Sequence, residues 1–227
     1  MKVAVVIPAY NEHKTIKQVI RSINTKYSVI VVDDCSSDST GDIAALEGVI
    51  VVRHSKNLGY DASLQSGIKK AVEYGMDIAI TIDADGQHDA SDLDKFACVM
   101  TDDSVHLVLG VRHSSTRISE YCFNLYGWIR FGVKDLLCGM KAYRIKSFQV
   151  FGTFGDNRSI GTKMALLALL KGFPFRMVDV AIAPREDNSR IGNPLSANVR
   201  IFRAFFFALL DDLKFLFNKY LIEKNIH

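Results

Sequence analysis

Short apolar runs recur along the first half of the chain, at Val3–Ile7, Val29–Val32, Val49–Val52 and Ile78–Ile82. They are β-branched and continuous rather than alternating, as expected of strands covered on both faces. Between the first two, Ile16, Val19, Ile20 and Ile23 fall at i, i+3, i+4 and i+7, one face of a helix. A second helical face carries Leu64, Ile68, Ala71 and Val72 and stops at Gly75, where glycine commonly ends a helix. Leu93, Phe96, Ala97 and Met100 give a third. This alternation predicts a mostly parallel sheet with right-handed crossovers.

Past residue 105 the pattern is mixed. Leu107–Val111, Met140–Ile145 and Met177–Ile182 read as further strands, and Met164–Leu170 as a buried helix. A long helical stretch begins at Ser196, with Val199, Phe202, Phe206, Leu209, Leu213, Phe217 and Tyr220 on one stripe. No repeat or Gly/Ser linker interrupts the chain. The expected fold class is α/β: a central sheet flanked by helices over residues 1–192, then a helical extension over 193–227.

Composition narrows the function. With 227 residues, 48% of them apolar, a core of ordinary size needs no disulfide or metal staple. The most apolar run, Ala204–Leu210, is enclosed by Arg203 and Asp211, well short of the roughly 20 residues a spanning helix needs. Met1–Pro8 is too short and too soon followed by Asn11 and Glu12 to read as a signal peptide. Cys35, Cys98, Cys122 and Cys138 form no CxxC pair, which suits free thiols in a reducing cytoplasm. Charge is segregated: Asp77–Asp103 holds eight Asp against one Lys, and Tyr121–Arg185 ten Lys/Arg against three Asp. An anionic ligand held partly through a cation is the expectation. The aromatic-and-basic pattern of a single-strand groove is not evident, so no nucleic-acid partner is expected.

In a parallel sheet, ligands sit at the carboxyl ends of the strands, near the switch in strand order. There the chain places Pro8-Ala9-Tyr10-Asn11-Glu12, Asp33-Asp34-Cys35-Ser36-Ser37-Asp38-Ser39-Thr40 and Asp83-Ala84-Asp85-Gly86-Gln87-His88. Helix capping would account for Ser39 or Thr40, but not for the paired acids. Asp83, Asp85 and the Gln87 amide oxygen form an all-oxygen set suited to Mg²⁺ or Mn²⁺ with open positions for water and phosphate. Two unit charges ~4 Å apart repel by roughly 4 kcal/mol at an effective dielectric near 20, so the pair needs a cation before a diphosphate can approach. No GxGxxG opens the first helix and no GxxxxGK[ST] occurs, which disfavours dinucleotide oxidoreductases and P-loop NTPases. Of the six histidines only His88, beside the acids, invites a test.

The segments VIPAYNE, VVDDCSSDST, NLGYDASLQSG and DADGQH closely resemble family 2 nucleotide-sugar glycosyltransferases of the GT-A (Rossmann-like) fold, most of all the dolichyl- and polyprenyl-phosphate sugar synthases. The resemblance continues through Gly110-Val111-Arg112, Asp135-Leu136-Leu137-Cys138-Gly139 and Arg185…Ser189-Arg190. It implies a metal-dependent, inverting enzyme that uses a nucleoside-diphosphate sugar. The implied acceptor is a polyprenyl phosphate or a membrane-associated glycan at the cytoplasmic face. By the family pattern, Pro8, Tyr10 and Glu12 would line the base and ribose pocket, with Asp33 or Asp34 reading the base. Asn57, Gly59 and Ala62 would border the nucleotide, and Ala84 would support the ribose. Asp83, Asp85 and Gln87 would hold the metal. Arg112 would face the sugar or acceptor phosphate, and Arg185 and Arg190 would clamp a phosphate. Asp135 would be the general base for a hydroxyl acceptor, or would orient a phosphate acceptor that needs none.

The chain departs from that pattern at Cys35 and Ser39, where the family usually has Gly, and at Lys163, where it often has Glu. These leave open a non-catalytic nucleotide-sugar-binding subunit. A sugar-nucleotide pyrophosphorylase would need a Gly-rich, Arg-containing loop after the first strand, where this chain has PAYNE. The C-terminal stripe, with Arg200, Arg203, Lys214 and Lys219 nearby, predicts packing on the domain, a homodimer contact or a membrane-surface contact.

Overall fold

The computed structural model describes residues 1–113, 117–148, 161–183 and 194–224. Seven strands form one sheet: β1 (Val3–Ala9), β2 (Ser28–Asp33), β3 (Ile50–Arg53), β4 (Ile78–Thr81), β5 (Leu107–Arg112), β6 (Lys141–Arg144) and β7 (Phe175–Val180). Their order is β3-β2-β1-β4-β6-β5-β7. Only β6 runs against its neighbours β4 and β5, so the mostly parallel expectation holds.

The helices are α1 (Ile16–Ser22), α2 (Thr40–Leu46), α3 (Tyr60–Glu73), α4 (Asp92–Val99), α5 (Ile118–Phe131), α6 (Ile145–Phe148), α7 (Lys163–Leu170) and α8 (Pro194–Lys224). The twofold period of the strands sorts them into two core layers. Val3, Val5, Ile7 and Ala9 face α1 and α4, against Ile16, Val19, Ile20, Leu93 and Phe96. Ala4 and Val6 face the other layer, with Ile68, Phe123, Leu166, Ile201 and Ala204 from α3, α5, α7 and α8.

Strand order reverses between β1 and β4, which opens the crevice at their carboxyl ends. The last bond of that ladder runs from the Ile82 N–H to the Val6 carbonyl. Two residues on, buried Pro8 has no N–H to extend it.

The C-terminal helix docks by a different face from the stripe singled out in the sequence. Ala197, Ile201, Ala204, Ala208 and Asp212 are buried, whereas Val199, Phe202, Phe206, Leu213 and Phe217 are exposed; the Tyr220 and Lys219 side chains lie outside the described residues. Small residues let α8 approach α5, and the predicted stripe points outward. The Ser119 hydroxyl donates to Asn198 Oδ1 at 2.6 Å, Tyr126 and Arg130 both donate to Asp212, and Phe205 packs on Phe123 and Tyr126. Helix α5 is apolar outward as well, at Ile118, Tyr121, Leu125, Trp128 and Ile129.

Candidate functional site

Three loops at the carboxyl edge of the sheet are knitted together. The Asn11 N–H donates to Ser36 Oγ, the Ser37 N–H to Asn11 Oδ1, and the Glu12 N–H to Thr40 Oγ1 at 2.8 Å. Asn11 and Cys35 both take left-handed backbone, at φ 55° and 62°, a region Asn tolerates and Cys enters at a cost. Ser39 occupies the N-cap of α2 without a side-chain capping bond, and Thr40 serves the Glu12 amide instead. Pro8 and Glu12 are buried, while Tyr10, 41% exposed, presents its ring at the rim.

The two acids after β2 differ in use. Asp34 has both oxygens engaged: it accepts from the Leu58 N–H at 2.8 Å, the Gly59 N–H at 2.7 Å and His54 Nδ1 at 2.7 Å. Asp33 accepts from the Ser36 N–H at 3.0 Å, and its other oxygen lies over Gly41, where a Cβ would come within 2.2 Å. Of the pair, Asp33 is therefore the one with an oxygen that no hydrogen bond among the described residues occupies. The loop Asn57–Gly59 is fixed from below by Asp34, and Ala62 follows in the first turn of α3.

At the end of β4, Asp83 accepts from the Tyr60 hydroxyl at 2.6 Å and lies 3.5 Å from His88 Nε2. Burial would raise its pKa, but His88, Tyr60 and the buried Lys141 together lower it to about 2. Ala84 is buried. Asp85 accepts from the Gln87 N–H at 3.1 Å. Gln87 Nε2 donates to the Ala183 carbonyl, and the His88 backbone bridges Ile182. The turn is thereby pinned to the segment that follows β7; Arg185 and Arg190, further along it, lie outside the described residues.

These residues fit a hard divalent cation. Asp83 is held ionised and the donors are all oxygen. His88 is buried with Nδ1 unpartnered among the described residues.

Arg112 and Asp135 form a second centre. Arg112 Nε and Nη2 donate to the two carboxylate oxygens at 2.7 and 3.0 Å. The N–H groups of Arg112, Leu137 and Cys138 donate as well. Burial alone would raise the Asp135 pKa, yet these bonds lower it. Burial likewise opposes the charge on Arg112, and Asp135 overrides it, raising that pKa. A carboxylate with five donors and 2% exposure is an anchor for the guanidinium and a poor proton acceptor. Beside it a pocket of about 370 Å³ is lined by Arg112, His113, Asn124 and Lys134 together with Tyr121, Leu125 and Trp128.

Sequence reasoning singled out neither Tyr60 nor His54, and it missed Lys141 and the α5 wall. NLGY was read only through its Asn and Gly; Lys141 lies in a strand, 3% exposed, with Nζ donating to the carbonyls of Cys138 and Gly161. Burial lowers the Lys141 pKa.

The model of glycosyl transferase family 2 matches residues 4–160. UDP-N-acetylglucosamine--dolichyl-phosphate N-acetylglucosaminyltransferase of Methanococcus voltae is 40% identical over 126 residues, 47% of this chain and 50% of that protein. The chain thus spans half the length of that relative. Undecaprenyl-phosphate mannosyltransferase of Micrococcus luteus is 30% identical over 165 residues, 63% of this chain and 67% of that protein. Among solved structures, glucosyl-3-phosphoglycerate synthase from Mycobacterium tuberculosis with Mn²⁺, UDP and phosphoglyceric acid superposes with a TM-score of 0.73 at 20% identity, covering 93% of this chain and 78% of that one. That likeness shows the GT-A fold.

Proposed function

We propose that this chain, which belongs to glycosyl transferase family 2 and is a glycosyltransferase, moves a sugar from a nucleoside diphosphate to a polyprenyl phosphate at the cytoplasmic face of a membrane. The observation that carries the acceptor is the pocket beside Arg112: its lining combines Arg112 and Lys134 with the apolar side chains of Tyr121, Leu125 and Trp128, and its acid is too fully bonded to act as a base. A phosphate monoester is anionic at neutral pH and attacks without being deprotonated, so such a site suits it and suits a hydroxyl acceptor poorly. Both named relatives carry a polyprenyl-phosphate acceptor in their names.

In this reading Tyr10 and Glu12 border the base and ribose, Asp33 reads the base, and the Asn57–Gly59 loop with Ala62 and Ala84 closes the nucleotide site. Asp83, Asp85 and Gln87 hold Mg²⁺ or Mn²⁺, which when bound supplies Lewis-acid stabilisation of the leaving diphosphate. Arg112, oriented by Asp135, presents its remaining N–H to the acceptor phosphate. In-line attack by that phosphate at the anomeric carbon inverts the centre. Arg185 and Arg190 are assigned to the diphosphate by family pattern alone.

The outward faces of α5 and α8 support a membrane-surface location. Twelve of the eighteen exposed large apolar side chains among the described residues lie on these two helices, and exposed Arg200, Arg203 and Lys214 border them. No helix among the described residues is long and apolar enough to cross a membrane, so contact would be lateral. Flotation with anionic liposomes should carry the wild type and lose Trp128→Asp and Phe206→Asp. Equal behaviour of all three would overturn the membrane contact, and a dimer broken by either variant in lipid-free buffer would assign the face to a second subunit.

The donor is tested by melting the protein with UDP-, GDP- and dTDP-sugars, each with Mn²⁺, Mg²⁺ or EDTA. At 100 times Kd a ligand stabilises by about 2.7 kcal/mol. One nucleotide should give an EDTA-sensitive shift, and Asp85→Ala should lose both the shift and sugar transfer to polyprenyl phosphate. Full turnover by Asp85→Ala would overturn the metal assignment, and binding without transfer would return the non-catalytic subunit.

A further inference from the structure

Asp34 and His54 are both deeply buried, with side chains 5% and 7% exposed. Asp34 follows β2 and His54 follows β3, so the carboxyl ends of two neighbouring strands meet there. The carboxylate takes the two backbone N–H groups that turn the chain into α3, those of Leu58 and Gly59. Gly59 sits at φ 89°, a conformation that other residues rarely adopt, and it caps α3 without a side-chain bond. The Leu58–Gly59 turn therefore depends on Asp34 for its position.

His54 in turn fixes Asp34. An ionised carboxylate only accepts, so Nδ1, 2.7 Å away, carries the proton. The opposite nitrogen, Nε2, is 2.8 Å from the Ser66 hydroxyl on α3, which donates to it when the ring is neutral. The resulting chain runs from Ser66 through His54 and Asp34 to the Leu58 and Gly59 amides, with every buried partner satisfied.

We propose that His54 is a positioning residue for donor binding: by holding Asp34 it sets the Asn57–Gly59 loop against the nucleotide while its own ring never meets the substrate. The inference rests on the donor site described above.

Two substitutions separate this role from mere filling of space. An asparagine amide can place its N–H where Nδ1 stands, whereas a glutamine amide reaches toward Nε2. His54→Asn should keep the Asp34 bond and lose the Ser66 contact; His54→Gln should do the reverse. Amide hydrogen exchange at Leu58 and Gly59 is read first and needs no ligand. It should quicken about tenfold or more in His54→Gln, and by less than about threefold in His54→Asn and Ser66→Ala.

Calorimetric binding of UDP and of GDP with Mn²⁺ is read next. The nucleotide that binds the wild type should bind His54→Gln about tenfold more weakly and His54→Asn nearly as well. Melting temperatures of the three variants establish that each is folded; should His54→Gln not fold, His54→Ala replaces it and is read against Ser66→Ala, with the same exchange and binding losses expected. Equal exchange in the Asn and Gln variants would overturn the proposal, as would faster exchange with unchanged binding. If the wild type binds neither nucleotide while exchange follows the predicted order, the donor-site reading fails and the clamp stands as a loop anchor only.

Discussion

Replacing Asp135 with Asn separates an anchor from a base. The side chain keeps its shape, and its oxygen can retain the position of Oδ1, with bonds from Arg112 Nη2, Leu137 and Cys138 at 3.0–3.1 Å. Its new NH₂ then faces Arg112 Nε and the Arg112 amide, which lie 2.7 and 3.2 Å from Oδ2. Two of the five bonds become donor against donor, and the carboxylate left beside Arg112 is the more distant Glu120, at 3.8 Å. Breaking a buried pair from one side costs about 3–5 kcal/mol. At roughly 2–4 °C per kcal/mol for a chain of this size, the melting temperature at pH 7.5 should fall by ~6–20 °C.

The pH dependence has a fixed sign. Because folding lowers the Asp135 pKa, its contribution is fully present above the unfolded value of about 3.9 and is lost as pH falls through the folded one. The gap between wild type and Asp135→Asn should therefore narrow on acidification. Denaturant melts at several pH values measure it. A variant that melts with the wild type at pH 7.5 yet transfers no sugar would refute the anchoring argument and restore Asp135 as a chemical participant.

Two further substitutions test the surroundings. Gly139→Ala would place a Cβ 2.1 Å from Asp83 Oδ2; the EDTA-sensitive melting shift with nucleotide should disappear, and an unchanged shift would mean that Asp83 does not hold the metal from this position. Tyr143 is fully buried with its hydroxyl unpartnered among the described residues. An unsatisfied buried polar group costs about 1–3 kcal/mol, so Tyr143→Phe should melt at or above the wild-type temperature, and a fall of several degrees would show that the hydroxyl is bonded.

What could be read from the chain follows from how each signal is encoded. Strands buried on both faces are continuous apolar runs, which made β1 and β4 plain. β6 (KAYR) and the largely exposed β7 (FRMVDV) carry charges and were read as strands with shifted bounds, and the reversed direction of β6 was not legible. The helix α5 went unread because it is apolar on two sides: Phe123 and Gly127 face the core while Tyr121, Leu125 and Trp128 face out, which erases the single-stripe period. The same double character misdirected the reading of α8. Its long outward residues outweighed the alanines that actually dock, since a close helix contact is made by small side chains that carry little hydrophobic signal.

The site shows the same limit. Asp33, Asp34, Asp83 and Asp85 announced a ligand edge by residue type and place along the strands. Their division of labour did not, because it is set by partners far away in sequence: His54 and Leu58 on Asp34, Tyr60 on Asp83, Arg112 on Asp135. Donor count marks Asp135, with five, as an anchor. Asp83 is held otherwise: Tyr60 donates to one oxygen and His88 stands 3.5 Å from the other, so the carboxylate is aimed by partners that the spacing of the acids does not reveal.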